Sequence, residues 1–188
     1  MGTSERERAR RFERLTLPHL NDAYNLARWL TRDGQDADDV VQEAFLRAFR
    51  YFDGFRGEEA RPWLLSIVRR VAYDWLERNR PSSVVRLDEA FRDGEAEPSA
   101  ALVAPPIDPE ASLMKAVEVR ELNRAIEALP TQFREVIVLR ELNELSYKEI
   151  ADVIASPVGT VMSRLARGRA MLQQALARRF PREAINGG

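Results

Sequence analysis

Apolar residues recur three and four positions apart over most of the chain, and runs of alternating β-branched residues are almost absent. That pattern predicts an all-α protein. Val40, Val41, Ala44, Phe45, Ala48, Phe49 and Phe52 form one wide apolar stripe that a helix must bury. The opposite face of the same helix carries Asp39, Gln42, Glu43 and Leu46, spaced i, i+3, i+4 and i+7. A charged, glycine-containing loop follows over residues 53–61, and Pro62 marks the start of a second long helix, where a missing N–H is tolerated. Its period places Leu64, Ile67, Val68, Val71, Trp75 and Leu76 inward and leaves Arg69, Arg70, Tyr73, Arg78 and Arg80 outward.

The helical period lapses between Pro81 and Ser112, where five of the ten prolines fall, and then resumes. This segment is expected to be a flexible linker between two small helical domains, residues 1–80 and 113–188. In the second domain a helix around Leu122 to Leu129 ends at Pro130, and another runs through Phe133, Val136, Ile137, Leu139 and Leu142. Ser146-Tyr-Lys-Glu149 has the form of a capping box and opens a short helix through Ile150, Ala151 and Ile154. Ala155-Ser-Pro157 suits a tight turn in which Ser156 caps and Pro157 takes the first helical position. The last helix is expected to bury Val158, Val161, Leu165 and Leu172, with Met162 packing at the edge of that stripe. Thr160, Ser163, Arg164 and Arg167 then share the outside. Two helices, a tight turn and a polar, basic stripe at the front of the second predict a helix-turn-helix.

Composition removes several classes of function. With no Cys and one His among 188 residues, a thiolate zinc site and a disulfide framework are excluded, and no metal or cofactor is expected. His19 is expected to be an ordinary helix or helix-end residue. No apolar run is long enough for a membrane span, and the Arg-rich start is unlike a secretory signal, so a cytoplasmic protein without membrane insertion is expected. No nucleophile, base and orienting group come together in the pattern, and no glycine-rich phosphate loop is present, so catalytic residues and enzymatic activity are not expected.

The net charge of −1 is a sum over unlike parts. Residues 1–80 carry 15 arginines against 14 acids, residues 81–112 carry 2 against 7, and residues 113–188 carry 12 basic side chains against 9 acids. Between Pro157 and Arg182 stand six arginines and no acid, Arg169 among them. An arginine stripe is usually a solvated face. Here the acids that normally interleave with it are missing, and it sits where a major-groove reader needs forked and hydroxyl donors. DNA contact is therefore the better reading. In the first domain Trp63 and Tyr73 accompany Arg69 and Arg70, a mixture of rings and cations suited to unstacked single strands. Phe45, Phe49, Trp75 and Trp29 are expected to pack. Leu46 among acids suggests a protein-docking face.

Several of these motifs, in this order, resemble the extracytoplasmic-function (ECF) sigma factors of bacterial RNA polymerase. The resemblance rests on Asp38-Asp-Val-Val-Gln-Glu-Ala-Phe, Phe55-Arg-Gly, Trp63-Leu-Leu-Ser-Ile, Leu129-Pro, Leu139-Arg-Glu-Leu, Leu145-Ser-Tyr-Lys-Glu-Ile-Ala and Pro157-Val-Gly-Thr-Val-Met-Ser-Arg-Leu. It implies that Asp39, Gln42, Glu43 and Leu46 dock on the clamp helices of core RNA polymerase. It assigns Arg56, Arg61, Trp63, Arg69, Arg70 and Tyr73 to the melted minus-ten promoter element. It assigns Thr160, Ser163, Arg164, Arg167 and Arg169 to the duplex minus-thirty-five element, beside a contact with the polymerase flap. It also implies an acidic linker threading toward the active-centre cleft and an anti-sigma factor that occludes both domains.

Two other readings stay open on the residues alone. A stand-alone helix-turn-helix regulator would need a dimer seam, and no heptad is visible. A sigma mimic that titrates an anti-sigma factor would be expected to have lost the basic stripe, which this chain keeps at Arg164 and Arg167.

Overall fold

The computed structural model describes residues 3–57, 59–79 and 109–179, with side chains over 5–57, 59–79 and 117–178. Most of the expected linker, residues 81–108, lies outside the described residues, as do Arg80 and Arg182. All regular structure among the described residues is helical. The first region comprises α1 (Thr3–Thr16), a 3₁₀ turn (Leu17–His19), α2 (Leu20–Thr31), α3 (Gly34–Tyr51), a 3₁₀ turn (Phe52–Gly54) and α4 (Ala60–Asn79). The second comprises α5 (Pro109–Ala128), α6 (Thr131–Ile137) continuing through a π turn (Val138–Leu142), α7 (Tyr147–Ile154) and α8 (Val158–Arg179).

In the first region α2, α3 and α4 pack pairwise around Leu26, Leu30, Val40, Ala44, Leu64, Leu65 and Val68, all buried. The expected stripe on α3 supplies its share, with Phe45 and Phe49 half-buried at the rim. Asp33 starts α3 by accepting from the N–H groups of Gln35 and Asp36 at 2.8 and 3.1 Å. α1 is tied on by Phe12, whose ring meets Phe45, Phe49 and Phe52 edge-on at 5.2 to 6.3 Å. Arg8 adds a 2.8 Å pair with Asp53 and donates to the Phe49 carbonyl.

The second region closes around Val136 to Leu139, Leu145, Ile150, Val161 and Leu165. α8 lies so close to α6 that a Cβ on Gly168 would sit 3.0 Å from Ile137 Cγ1, so the missing side chain sets this spacing. Arg134 is buried and takes up the α5 C-terminus. Its Nη1 donates to the carbonyls of Glu127 and Leu129 at 2.7 and 3.2 Å, and its Nη2 to the Thr131 hydroxyl. Burial, followed by the nearby Arg32 charge, pushes its pKa down to about 9, so it enters the fold charged at neutral pH and depends on those acceptors.

The structure departs from the sequence pattern at several points. Pro109 to Ser112, expected in the linker, form the first turn of α5, with proline in the position helices tolerate best. α4 begins at Ala60, two residues before Pro62. Val158 and Met162, expected against the core, are 40% and 54% exposed. They are four residues apart and form an exposed stripe beside the buried Val161 and Leu165. Leu142 is also exposed, because the π turn rotates it away from the buried run. The Ser156 hydroxyl donates back to the Ile154 carbonyl, so it does not cap α8.

The two helical regions do not stand apart. α4 packs on α7 and α2 on α6, and one continuous apolar cluster runs from Leu26 through Val68 to Leu165.

Candidate nucleic-acid interface

The helix-turn-helix is built as its sequence signals require. The Ser146 hydroxyl accepts from the Glu149 N–H at 3.2 Å and Glu149 accepts from the Ser146 N–H at 2.7 Å, a closed capping box at the start of α7. Burial opposes the Glu149 charge, but its bonds to Ser146 and the Arg61 charge hold its pKa below the usual value. The chain leaves α7 through Ala155 at φ 49°, a left-handed residue that reverses direction within one position. The Pro157 carbonyl then accepts from Thr160 and Val161 at 2.9 and 3.2 Å, so Pro157 stands at the N-cap of α8, one residue before the position expected. Ser146→Ala should cost about 1 kcal/mol. Thermal denaturation with unchanged helical circular dichroism before the transition checks this.

On α8 the stripe divides. Ser163 and Arg167 are exposed, and Arg167 has no ion-pair partner among the described residues. Thr160 is half-buried, and the Ser163 hydroxyl donates to its carbonyl at 3.0 Å. Arg164 is half-buried and turned to Glu135, 3.3 Å away. Arg169 is not on this face. Nine residues beyond Thr160, or about two and a half turns, it points the other way and pairs with Glu141 at 2.6 Å.

On α4 the expectation that Arg69 and Tyr73 face outward does not hold. Both reach across to the second region. Arg69 Nε and Nη2 donate to the two oxygens of Glu135 at 2.7 and 3.3 Å, and the Tyr73 hydroxyl donates to the same carboxylate at 3.0 Å. Burial works against the Arg69 charge, but the hydrogen bond and charge of Glu135 outweigh it and raise its pKa. For Tyr73, burial and then the Glu135 charge push the phenol upward, so it stays a donor. Arg61 bonds to Asp22 at 2.7 Å and to the Asn143 carbonyl, and Asn143 in turn donates to the Asp22 carbonyl at 3.0 Å. Trp63 is half-buried, 4.7 Å from the Phe55 ring and 6.3 Å from Phe52. Arg56 and Arg70 are exposed.

The α3 stripe is surface, as its period requires. Asp39, Gln42 and Leu46 are exposed, with Leu46 at 58%. Glu43 is held by Arg47, which also reaches Asp74 on α4. Beside this stripe lies an open cavity of about 350 Å³ between α3 and α4, lined by Asp39, Glu43, Arg47, Trp75 and Arg78. His19 sits in the turn before α2. Burial, then Arg61, lower its pKa despite Asp22 at 4.0 Å.

Glu135 has no place in the sequence reading, yet it joins α4, α6 and α8. One signal marks it. Five of the seven residues from Phe133 to Leu139 are apolar, and the two charges among them, Arg134 and Glu135, must find partners if that helix is buried. Among the described residues no group of His, Cys, Asp and Glu is arranged to hold a metal, and no helix is long and apolar enough to cross a membrane.

Comparison with known proteins places both helical regions in one family. Residues 15–81 match the family model of sigma-70 region 2 and residues 119–172 that of sigma-70 region 4. The chain is 44% identical over 141 residues to the ECF RNA polymerase sigma-E factor of Escherichia coli K12, covering 71% of this chain and 70% of that one. It is 34% identical over 172 residues to the RNA polymerase sigma-H factor of Pseudomonas aeruginosa, covering 89% and 86%. Among solved structures it is similar to the sigma factor RpoE of Bartonella quintana in complex with the anti-sigma factor NepR. There the TM-score is 0.65 and the identity 26%, over 88% of this chain and 96% of that one. It is also similar to CnrH in complex with the cytosolic domain of CnrY, with TM-score 0.61 and 28% identity over 90% of each chain. The chain belongs to the ECF sigma factors, which bind core RNA polymerase and direct it to promoters for transcription initiation.

Proposed function

We propose that the work of a sigma factor is divided here between the two helical regions. Residues 1–80 dock core polymerase through Asp39, Gln42, Glu43 and Leu46 and hold the melted minus-ten element through Arg56, Arg61, Trp63, Arg69, Arg70 and Tyr73. Residues 109–188 read the minus-thirty-five element through Thr160, Ser163, Arg164 and Arg167, and residues 81–108 link the two. Arg169 is left out of the reading set because it lies on the far side of α8. The chain is a cytoplasmic regulatory subunit and not a catalyst. An anti-sigma factor is its expected antagonist, because RpoE, to which it is similar, is described in a complex with the anti-sigma factor NepR.

The observation that carries this reading is the front of α8, where Ser163 and Arg167 stand exposed with no acid between them, on the helix that follows the capped α7 across a tight turn. A forked Arg contact to a base is worth about 1–3 kcal/mol of discrimination. Arg167→Ala should therefore weaken binding of the holoenzyme to a promoter by that amount and relax preference at one base pair. Equal losses on promoter and random DNA would assign Arg167 to phosphate instead.

A further inference from the structure

Three of the proposed DNA-contacting side chains, drawn from both regions, meet on one carboxylate. Glu135 is fully buried and is held by Arg69 and Tyr73 from α4 and by Arg164 from α8. Resting on the assignments above, we propose that Glu135 is an internal surrogate for a DNA phosphate, a latch that keeps the free chain closed and Arg69 and Tyr73 withheld from DNA until polymerase or promoter pulls the two regions apart.

The chemistry of the contact supports that role. The Nε and Nη2 of Arg69 engage the two Glu135 oxygens as a fork, the arrangement with which arginine also grips a phosphate. A phosphate and Glu135 cannot hold those donors together. The latch is also balanced for release. Taking a carboxylate and two guanidinium groups out of water costs nearly what their attraction returns, so such a cluster specifies an arrangement without adding much stability. Opening takes Arg69 and Tyr73 off the carboxylate and back to water, while Arg164, on the same region as Glu135, keeps its place beside it. Removing the carboxylate while the regions stay closed would leave Arg69 and Arg164 facing each other with no counter-charge between them.

A second anchor acts in parallel. Arg61, also assigned to the minus-ten element, is held by Asp22 and by the Asn143 carbonyl, and Asn143 reaches back to the Asp22 carbonyl. The Asn143 Oδ1 is buried with no hydrogen-bond partner, so this anchor too is incompletely satisfied. Arg56, Arg70, Ser163 and Arg167 lie outside both anchors and remain exposed. They leave a partial DNA surface for first contact.

The chain lacks cysteine, so Glu13→Cys and Gln174→Cys, both at exposed positions, give a unique dye pair across the two regions for energy transfer. Glu135→Gln keeps the side-chain shape and removes the charge. Asp22→Asn weakens the second anchor at a residue with no assigned DNA contact, and it carries the test if Glu135→Gln fails to fold. Both variants should lower transfer efficiency in the free full-length chain. Glu135→Gln should also tighten binding to a short random-sequence duplex about tenfold, the scale of one lost charge-assisted hydrogen bond. Adding Arg164→Ala to Glu135→Gln should give that gain back. Unchanged transfer in both variants overturns the latch. Opening without tighter DNA binding, or a gain that survives Arg164→Ala, overturns the phosphate-surrogate role. The promoter measurement on Arg167→Ala, run alongside, judges the α8 assignment separately.

Discussion

Leu46→Glu combined with Gln42→Ala is expected to abolish transcription from the chain's promoters and to lower its affinity for core polymerase by about a hundredfold or more, the scale of losing an interface hot spot. Leu46 is 58% exposed on α3 and stands in line with Gln42 and the acids Asp39 and Glu43. An exposed leucine of this kind has little to gain in the free chain and about 1.5–3 kcal/mol to gain when a partner covers it. A glutamate in its place must lose its hydration against the same partner surface, which adds to the loss. The fold should not register the change. Both positions are on the solvent side of α3, away from Val40, Ala44 and Ala48, and both replacements are good helix formers. Titration of labelled chain with core polymerase measures the effect. Wild-type affinity in the folded variant would remove the docking role from this stripe.

Leu165→Ala is expected to cost about 2–5 kcal/mol, the range for emptying a leucine site in a packed core. Leu165 is 1% exposed and, with Val161, seats α8 in the second region, where Gly168 already lets the helix approach Ile137 closely. A cavity at this point both loosens the region and releases the reading helix from its register. Against a total of about 5–15 kcal/mol for a folded domain, the loss is large. It should lower the melting temperature by on the order of ten degrees. Promoter binding at temperatures below the transition should weaken as well, because the donors on α8 are no longer held in place. An unchanged melting temperature would mean that α8 is seated mainly by other contacts.

Much of the fold was legible because its signals are local. The stripe on α3 and the inner face of α4 follow from helical period alone. Ser146 and Glu149 announce their capping box within four residues, and Leu46 is exposed because its neighbours in the period are polar. What stayed hidden depends on residues far apart in the chain. Arg69 and Tyr73 look like outward side chains on α4 because nothing nearby in sequence claims them, and their partner Glu135 is more than sixty positions away. Val158 and Met162 are apolar at a helical spacing, yet both stand exposed. Arg169 shares the charge of its neighbours on α8, whereas helix geometry sends it to Glu141. Period shows which face is buried. It does not show what buries it, and here one face of α4 is covered by the other half of the same chain.

The most direct measurement of the whole account is run-off transcription by purified core polymerase on fragments of the source genome, with and without this chain. The account predicts discrete start sites only when the chain is present. It further predicts that those starts disappear with Leu46→Glu/Gln42→Ala and weaken with Arg167→Ala. The same starts without the chain, or starts indifferent to both variants, would contradict it.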